Sequence, residues 1–370
     1  MREMIPEERI LAVFERRSID RVPWNIRPEF WYIVNKARGT MPEEYKGLNI
    51  VDICRKWGAS WRCYSGYFVD SFVKVTYSGD LKFITREKGR LTITETETPV
   101  GTVRQIQLRD EEGFSSRIIE YPLKELKDIK PIVYMLEHMH VEFDHEVYEK
   151  MKQHLGGYGI LSYFFPRTPF QRLMINLAGV ERTIKLIFRY PSEMEELMEK
   201  IKMANDQFYE VMASTPIKIF NLGENIDVRM TSPKLFEKYC LPYYQERGDY
   251  LHKHGKFVHI HVDGWGKPLL PLLRETRLDG VEALTVKPVG DMTLEDIKRA
   301  LGDEMILIDG IPFIYFLPDI ISLEKFDKFV KKIISMFPDN LVLGISDELP
   351  PPADENRVKR VSRIIDELYK

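Results

Sequence analysis

The segment FVHIHVDG at residues 257–264 combines residue types that can do chemistry in this sequence. His259, His261 and Asp263 stand at alternate positions, so on a strand they would share one face while the apolar residues between them face the other way. An imidazole and a carboxylate at this spacing can bind one metal ion or form a hydrogen-bonded base. The alternative is a buried histidine whose hydrogen bonds neighbouring carboxylates satisfy, without a metal.

Acidic residues also follow other short apolar runs. Glu224 and Asp227 come after one run, and Asp309 and Asp347 come just after two later ones. Glu224 and Asp227 suit ligand, acid–base or substrate-binding roles, whereas simple solvation of a loop is the alternative. Turns need such residues too, but four acidic clusters at equivalent run ends exceed what turns require. We therefore predict a functional site at these ends, where Asp309 binds substrate.

An aromatic and basic segment follows the apolar run at 158–164. Tyr163 and Arg167 in this segment would supply an aromatic wall and an anion contact for a substrate. Arg27 and Arg38 precede the repeated units, and a single arginine is weak evidence for a carboxylate substrate.

Short apolar runs alternate with helical stretches after Gly156, which predicts parallel βα units. Six runs in this half and one or two earlier ones favour an α/β fold of the (β/α)8 barrel type, whose functional face lies at the carboxyl ends of its strands. A G-x-G-x-x-G motif after a strand is absent, which weakens a dinucleotide-binding interpretation. The predicted strands are 158–164, 217–222, 257–262, 280–284, 305–308 and 341–345, and the predicted helices are 191–213, 233–254, 266–276, 293–301 and 323–336.

The first part of the chain differs from this pattern. Residues 6–17 have the apolar spacing of a short amphipathic helix. Residues 70–110 alternate apolar and polar side chains between turn residues, which predicts antiparallel hairpins inserted into the barrel. We expect residues 1–370 to form a single domain that contains this 70–110 insertion.

Composition limits the functional class. The 370 residues include 54 Lys+Arg and 57 Asp+Glu, for a net charge of −3, so no excess of positive charge exists to bind nucleic acid. Three cysteines argue against a disulfide framework and exclude a four-cysteine zinc site. The charged start of the chain does not look like a signal peptide, and no run of 18 apolar residues occurs. We expect a cytoplasmic enzyme with a small-molecule substrate, no nucleic-acid partner and no membrane association.

Several segments together resemble the uroporphyrinogen decarboxylase superfamily. Each segment is a loose match, and their order and spacing along nearly the whole chain carry the resemblance. It implies a (β/α)8 barrel that is either a decarboxylase or a corrinoid-dependent methyltransferase of the methylcobamide:coenzyme M type. The segments are Glu8–Leu11 through Asp20–Pro23, Glu97–Thr102, Ser232–Pro233 through Pro242–Tyr243, Gly290–Asp303, and Gly344–Pro351 with Glu355–Asn356.

The decarboxylase branch is the weaker match. Uroporphyrinogen decarboxylases carry an Arg-Gln-Ala-Gly-Arg stretch that helps bind the carboxylates of the substrate, and the nearest segment here, Lys36–Tyr45, lacks the paired arginines. A polyanionic tetrapyrrole would need such cations. The resemblance therefore favours the methyltransferase branch.

The resemblance also suggests a metal site. The thiol methyltransferases bind zinc through a His-x-Cys-Gly segment and a later cysteine, and the matching positions here are His261, Asp263 and Asp347. A ligand set rich in oxygen atoms is harder and less selective for zinc than thiolates are. One expectation is therefore a divalent metal ion, with zinc as one choice and Glu224 as a further ligand. The other is that the metal is lost and the aspartates hold a polar substrate directly.

Our leading hypothesis is a methyltransferase that moves a methyl group between a small substrate and a corrinoid supplied by a partner protein. Glu224, Asp227 and His261 would be catalytic, and the substrate-binding set would be His259, Tyr163, Arg167 and Asp309. The alternatives are a uroporphyrinogen decarboxylase-type enzyme of porphyrin biosynthesis and a non-catalytic binder of a small molecule or corrinoid. The oligomeric state stays open, with a homodimer as one arrangement.

Overall fold

The computed structural model describes residues 3–370, and its internal contacts divide the chain into two compact units. The first unit takes in the chain up to Phe72 together with Asp144–Phe164 and Pro216–Lys370. The second unit consists of Val73–Phe143 and Phe165–Thr215. The single domain predicted over residues 1–370 stays a prediction, because compactness alone does not define a domain.

The strands are short, and their order along the chain is as follows: β1 Asn25–Ile26, β2 Ser60–Tyr64, β3 Val73–Tyr77, β4 Lys82–Lys88, β5 Leu91–Thr98, β6 Gly101–Arg109, β7 Ser116–Glu120, β8 Met139–Phe143, β9 Gly159–Ser162, β10 Phe164–Phe165, β11 Ile219–Ile226, β12 Phe257–Val262, β13 Gly280–Glu282, β14 Ile306–Pro312 and β15 Leu341–Ser346.

The α-helices range from a single turn to six turns. Within residues 3–370, none of them combines the length and the apolar character needed to cross a membrane. They are α1 Pro6–Phe14, α2 Glu29–Arg38, α3 Ile50–Trp57, α4 Ile129–Glu137, α5 His145–Leu155, α6 Pro169–Arg172, α7 Val180–Arg189, α8 Pro191–Ala213, α9 Pro233–Leu235, α10 Leu241–Lys253, α11 Leu270–Leu273, α12 Leu294–Leu301, α13 Leu323–Met336 and α14 Glu355–Leu368.

Parallel strands form the centre of the first unit. One sheet has the order β1-β2-β9, and in another the strands β11 to β15 follow one another in chain order. A parallel bridge between Trp24 and Leu343 connects the two sheets. The α/β class with a parallel sheet is confirmed, and the closed eight-stranded barrel stays a prediction.

Helix α1 covers one end of these strands. Its Ile10, Val13 and Phe14 pack with apolar side chains of the strands, including Ile219 and Ile306 at the amino ends of β11 and β14. Burial of apolar area at this end contributes stability without using polar groups. The opposite, carboxyl ends of the strands are left to carry the polar side chains of the site.

The predicted helix at 233–254 is interrupted in the structure. Helix α9 ends at Leu235, a π-helical turn covers Phe236–Cys240, and α10 begins at Leu241. Pro242 in the first turn of α10 has no N–H with which to continue the α-helical hydrogen bonds of the preceding turn. The helix predicted over 233–254 is therefore confirmed as a helical segment that contains a π-helical turn.

The second unit contains the predicted hairpins. Strands β4 to β7 form an antiparallel sheet in chain order, and β3 pairs with β8. The antiparallel region extends to Glu120, beyond the predicted end at residue 110, because β7 adds a further strand after the turn at Asp110. Helices α4 and α6 to α8 complete this unit.

Ser322 caps α13, since its hydroxyl accepts a hydrogen bond from the backbone N–H of Lys325 at 3.3 Å. We expect Ser322→Ala to lower the free energy of unfolding by about 1 kcal/mol, because one N–H of the first turn loses its acceptor. The same exchange at exposed Ser335, near the other end of the helix, serves as the control and should cost less than about 0.5 kcal/mol. Urea denaturation measures both, and equal losses would contradict the capping role.

Candidate active site

A single buried carboxylate organises the polar side chains between the parallel strands of the first unit. Glu282, the last residue of β13, is inaccessible to solvent. Its Oε1 accepts a hydrogen bond from the Tyr64 hydroxyl at 2.9 Å and lies 3.1 Å from Arg62 Nη1. Its Oε2 accepts from Asn221 Nδ2 and lies 3.0 Å from His261 Nδ1. Four groups on β2, β11 and β12 thus converge on one residue.

Arg62 joins a second buried carboxylate to this set. Its Nη2 donates to Oδ1 of Asp309, which lies in β14 and is inaccessible to solvent. Asp309 adopts φ +81°, an uncommon conformation for a residue with a side chain. A Cβ atom on Gly344 of the adjacent β15 would overlap Asp309 Oδ1, so glycine is needed there. The Glu282 cluster is hereafter Glu282, Arg62, Tyr64, Asn221, His261 and Asp309.

The two carboxylates on Arg62 differ in ionisation. Burial raises the pKa of Glu282, but the Arg62 charge and the hydrogen bond to His261 outweigh it and hold that pKa well below its usual range. Burial raises the pKa of Asp309 to about 7, and the Glu282 charge adds to this rise against the opposing effect of Arg62. Near neutral pH the cluster therefore combines a firmly ionised Glu282 with an Asp309 that exchanges a proton.

His261 is held as a cation. Its Nδ1 faces Glu282, and its Nε2 lies 3.7 Å from Oδ2 of the half-exposed Asp263. Burial lowers the pKa of His261, but the charge of Asp347 and the contacts with Asp263 and Glu282 outweigh it, so the pKa lies well above its ordinary value. The imidazole can therefore present a proton from Nε2 toward the strand ends.

His259 lies on the same face of β12 but is held neutral. Burial lowers its pKa to about 4, with the positive charge of Arg62 adding to the effect. Its Nδ1 has no hydrogen-bond partner among residues 3–370, and its ring lies 6.3 Å from that of Phe14 in the covering helix α1. The alternation predicted for β12 thus brings both histidines to one face, and the substrate-binding role of His259 stays a prediction.

A second buried arginine, Arg27, lies beside the cluster, with its guanidinium 5.3 Å from the centre of the Tyr64 ring. Arg27 donates from Nη1 to Asp347 and from Nη2 to Glu348 at 2.9 Å. Its guanidinium also lies over the rings of Tyr67 and Phe164, at 4.7 and 5.6 Å. The Asp347 and Glu348 charges hold the pKa of Arg27 high despite its burial. Arg27 is thus already paired with carboxylates of the chain itself.

The predicted catalytic carboxylates of the β11 region differ in setting. Asp227 receives hydrogen bonds from the backbone N–H of Arg229 at 2.8 Å and of Trp265 at 3.3 Å, and it also binds the Arg229 side chain. Burial raises the pKa of Asp227, but these bonds outweigh it and lower that pKa, which suits an anchored anion rather than a proton donor. Glu224 is buried within β11 itself. The catalytic roles of both stay predictions.

The predicted aromatic wall and anion contact fall in different units. Tyr163 belongs to the first unit, where its ring lies 6.2 Å from that of Phe72 and burial raises the pKa of its hydroxyl. Arg167 belongs to the second unit, where its carbonyl accepts from Asn205 Nδ2 at 3.0 Å. The substrate-binding roles of Tyr163 and Arg167 stay predictions.

The donors expected for a metal do not fit one as they are arranged. Of His261, Asp263 and Asp347, the first is hydrogen-bonded to Glu282 through Nδ1 and the last is bound by Arg27. Within residues 3–370 no three histidine, cysteine or acidic side chains are grouped to hold a metal ion. A metal ligand must be deprotonated and free of competing cations. The metal expected from the sequence stays a prediction.

Glu29, the first residue of α2, is a further buried carboxylate, two residues after Arg27. Its Oε1 accepts from Trp61 Nε1 at 2.8 Å, and its Oε2 has no hydrogen-bond partner within residues 3–370. Burial raises the pKa of Glu29 to about 7, against the opposing charge of Arg27. Glu29 therefore ties the outer face of β2, where Trp61 lies, to the segment that carries Arg27.

Only a weak signal for the two central residues is present in the sequence. Glu282 and Arg62 are charged residues inside otherwise apolar stretches, GVEAL and SWRCY. A charge in a short apolar run is costly unless it is paired, so each was a signal of a buried polar contact. The partner could not be identified, because 220 positions of chain separate the two residues and only the parallel sheet brings them together.

Comparisons with known proteins agree with this architecture. The family model described as uroporphyrinogen decarboxylase (URO-D) matches residues 112–368. A solved methyltransferase from Methanosarcina mazei is 14% identical, with a TM-score of 0.64 and all of both chains covered, which shows a common fold. A D-psicose 3-epimerase from Clostridium cellulolyticum H10 is 8% identical, with a TM-score of 0.35 over 65% of this chain and 86% of its own. No curated protein matches this chain.

The charge states of the two histidines are testable. We expect His261 to stay protonated well above pH 6.5, because nearby carboxylates stabilise its cation, while His259 stays neutral down to about pH 4. Nitrogen-15 NMR of labelled histidine measures both, with signals assigned from His261→Gln and His259→Gln. Glu282→Gln removes one stabilising charge and should lower the pKa of His261. A wild-type His261 that titrates at or below pH 6.5 would contradict this electrostatic arrangement.

Glu29 should make stability depend on pH. A carboxyl pKa raised from 4.5 to about 7 on folding favours the folded state at low pH, and this advantage is lost as the pH rises through both values. We expect Glu29→Gln to be more stable than wild type at pH 8.5, by up to about 3 kcal/mol, with the gap narrowing toward pH 5. Urea denaturation at both pH values measures this. The control Glu43→Gln, at an exposed carboxylate, should change stability little at either, and a pH-independent gap for Glu29→Gln would refute the assignment.

Proposed function

This chain belongs to the uroporphyrinogen decarboxylase family, and we propose that it is a methyltransferase that exchanges a methyl group between a small substrate and a corrinoid carried by a separate protein. The family includes decarboxylases and methyltransferases, so the choice between these two activities depends on the residues of the site. The methyltransferase named among the solved structures of the same fold is in keeping with this proposal.

The pairing of the two buried arginines carries the proposal. A site for a polycarboxylate needs arginines whose donors are free for the substrate. Here Arg27 is engaged by Asp347 and Glu348, and Arg62 is engaged by Glu282 and Asp309. A polyanion would have to displace these internal carboxylates and bury further negative charge beside them. The arrangement therefore favours a substrate that is not a polyanion.

His261 is the residue suited to chemistry in this proposal. Glu282 orients its ring through Nδ1, so the proton on Nε2 is directed toward the side where Asp263 lies. When a methyl group leaves an oxygen or nitrogen atom of a substrate, the electron pair of the broken bond stays on that atom. A proton from His261 Nε2 neutralises it, which is general-acid catalysis. Asp263 and Asp347 keep His261 charged and can orient a polar substrate.

The corrinoid is a second substrate in this scheme and supplies the electron pair that takes the methyl group. We propose that it arrives on a partner protein. A small substrate and this partner protein are thus the proposed partners. A divalent metal such as zinc at His261, Asp263 and Asp347 would change the role of His261 from acid to ligand.

The second candidate function is decarboxylation of a tetrapyrrole or another acid, and family membership is the observation that favours it. Anaerobic incubation with uroporphyrinogen, scored by loss of carboxyl groups, distinguishes it from methyl transfer. We expect no turnover of uroporphyrinogen, because Arg27 and Arg62 are each already paired with two carboxylates of the chain.

His261→Gln tests the proposed function. We expect methyl transfer between cobalamin and small methoxy, methylamine or thiol substrates to fall at least about 100-fold, since a positioned acid contributes on this scale. Absorption changes of free cobalamin measure the transfer. The control His254→Gln, at an exposed ring, should keep wild-type activity. The zinc content of wild type and His261→Gln is the second readout. One zinc per wild-type chain that is lost in His261→Gln would favour a metal-ligand role for His261 over a general-acid role. Unchanged methyl transfer in His261→Gln would exclude both roles.

A further inference from the structure

Asn221 of β11 connects two other members of the Glu282 cluster. Its Nδ2 donates one hydrogen bond to Oε2 of Glu282 and another to the Tyr64 hydroxyl at 2.9 Å. The Tyr64 hydroxyl in turn donates to Oε1 of Glu282 at 2.9 Å. Three side chains from three strands thus close a triangle of hydrogen bonds that includes both oxygen atoms of one carboxylate. We call this arrangement the hydrogen-bond triangle.

The donors of the hydrogen-bond triangle are fully used. An amide nitrogen carries two hydrogens and a tyrosine hydroxyl carries one, and all three are donated within the triangle. The orientation of the Asn221 amide follows as well, because in the flipped orientation its oxygen would face the oxygens of ionised Glu282, which only accept hydrogen bonds. Asn221 and Tyr64 therefore have no hydrogen left with which to bind a substrate.

Asn221 occupies its position at a cost in stability. The residue is inaccessible to solvent, and its Oδ1 has no hydrogen-bond partner within residues 3–370. A buried acceptor without a partner destabilises the folded state, whereas an apolar side chain of similar size would not. What an asparagine supplies here is therefore the pair of hydrogen bonds from Nδ2.

The hydrogen-bond triangle fixes which oxygen of Glu282 meets His261. The torsion that turns a glutamate carboxylate is broad, so a carboxylate held through one oxygen can rotate. Arg62 Nη1 lies 3.1 Å from Oε1 and so holds that oxygen alone. The triangle holds both oxygens at once, and Oε2 is the one that lies 3.0 Å from His261 Nδ1. The orientation of the imidazole therefore depends on Asn221 and Tyr64.

We propose that Asn221 and Tyr64 are positioning residues that orient His261 by holding the Glu282 carboxylate in place. The inference rests on the proposed function, in which His261 Nε2 acts on the substrate. A purely structural role for Asn221 and Tyr64 predicts a loss of stability with an unchanged His261 ring in the molecules that fold. A positioning role predicts a change at His261 and a slower chemical step with substrate binding retained, because the oriented imidazole acts in that step.

Tyr64→Phe and Asn221→Leu each remove one corner of the hydrogen-bond triangle without adding a charge. We expect each variant to lower kcat for methyl transfer at least about tenfold with KM within about twofold, as the loss of a group that orients a reacting residue does. In proton–nitrogen-15 NMR the His261 Nδ1–H signal, assigned from His261→Gln, should move upfield in both variants because its hydrogen bond weakens. The control Tyr45→Phe removes another buried hydroxyl, which accepts from Trp57 Nε1 at 3.0 Å, and should leave kcat and the His261 signal unchanged.

The double variant Tyr64→Phe/Asn221→Leu tests whether the two residues act as a unit. Loss of either corner opens the triangle, so we expect the double variant to be slowed about as much as the slower single variant. Effects that multiply would assign separate roles to the two residues and overturn the shared triangle.

The NMR signal and the activity separate this proposal from the proposed function. An unchanged His261 signal and kcat in Tyr64→Phe, with transfer lost in His261→Gln, would overturn the positioning role and keep the proposed function. A His261 signal that moves as expected, with no methyl transfer by wild type, would overturn the proposed function and keep the positioning of His261. Tyr64→Phe retains the ring that stacks on Phe164 at 3.8 Å, so it decides the question even if Asn221→Leu does not fold.

Discussion

The arrangement of the first unit depends on keeping one negative charge buried. Glu282 has no access to water, so its ionised form persists only because four groups on three other strands face its two oxygen atoms. Each donor must lie at one particular position along its strand to reach Glu282. The ionisation of Glu282 therefore depends on the register of the sheet. A shift of one residue in β12 would turn His261 away from Glu282 and leave the carboxylate underpaired.

The second property of this site is that its buried arginines are neutralised by carboxylates of the same chain. Arg62 and Arg27 each pair with two carboxylates of the same chain. Their guanidinium groups therefore position these carboxylates and leave little net positive charge for a substrate. Within this setting the pKa values of the two histidines of β12 diverge: burial lowers the pKa of His259 to about 4, whereas nearby carboxylates hold the pKa of His261 well above its ordinary value despite its burial. Environments that separate the pKa values of like residues are typical of acid–base sites.

Strand β2 shows how one element serves two surfaces. Its inward residues Arg62 and Tyr64 belong to the Glu282 cluster, whereas the outward residue Trp61 packs against His154 of α5 and donates a hydrogen bond to Glu29. Alternation along a strand makes this division unavoidable, because neighbouring side chains always point to opposite faces. Changes on the outer face of β2 can therefore reach the inner face through the backbone of a single strand.

Local patterns in the sequence determined the α/β class, the positions of most later strands and helices, the antiparallel hairpins, and the shared face of His259 and His261. These features follow from the spacing of apolar side chains and from the residues that begin or end helices and strands, and both signals act over a few residues. Tertiary structure alone decided that Glu282 is the central residue of the cluster, that Arg27 pairs with Asp347, and that the pKa values of the two histidines differ. Burial and long-range pairing set these properties, and the identity of a partner hundreds of residues away is not written in the neighbouring sequence.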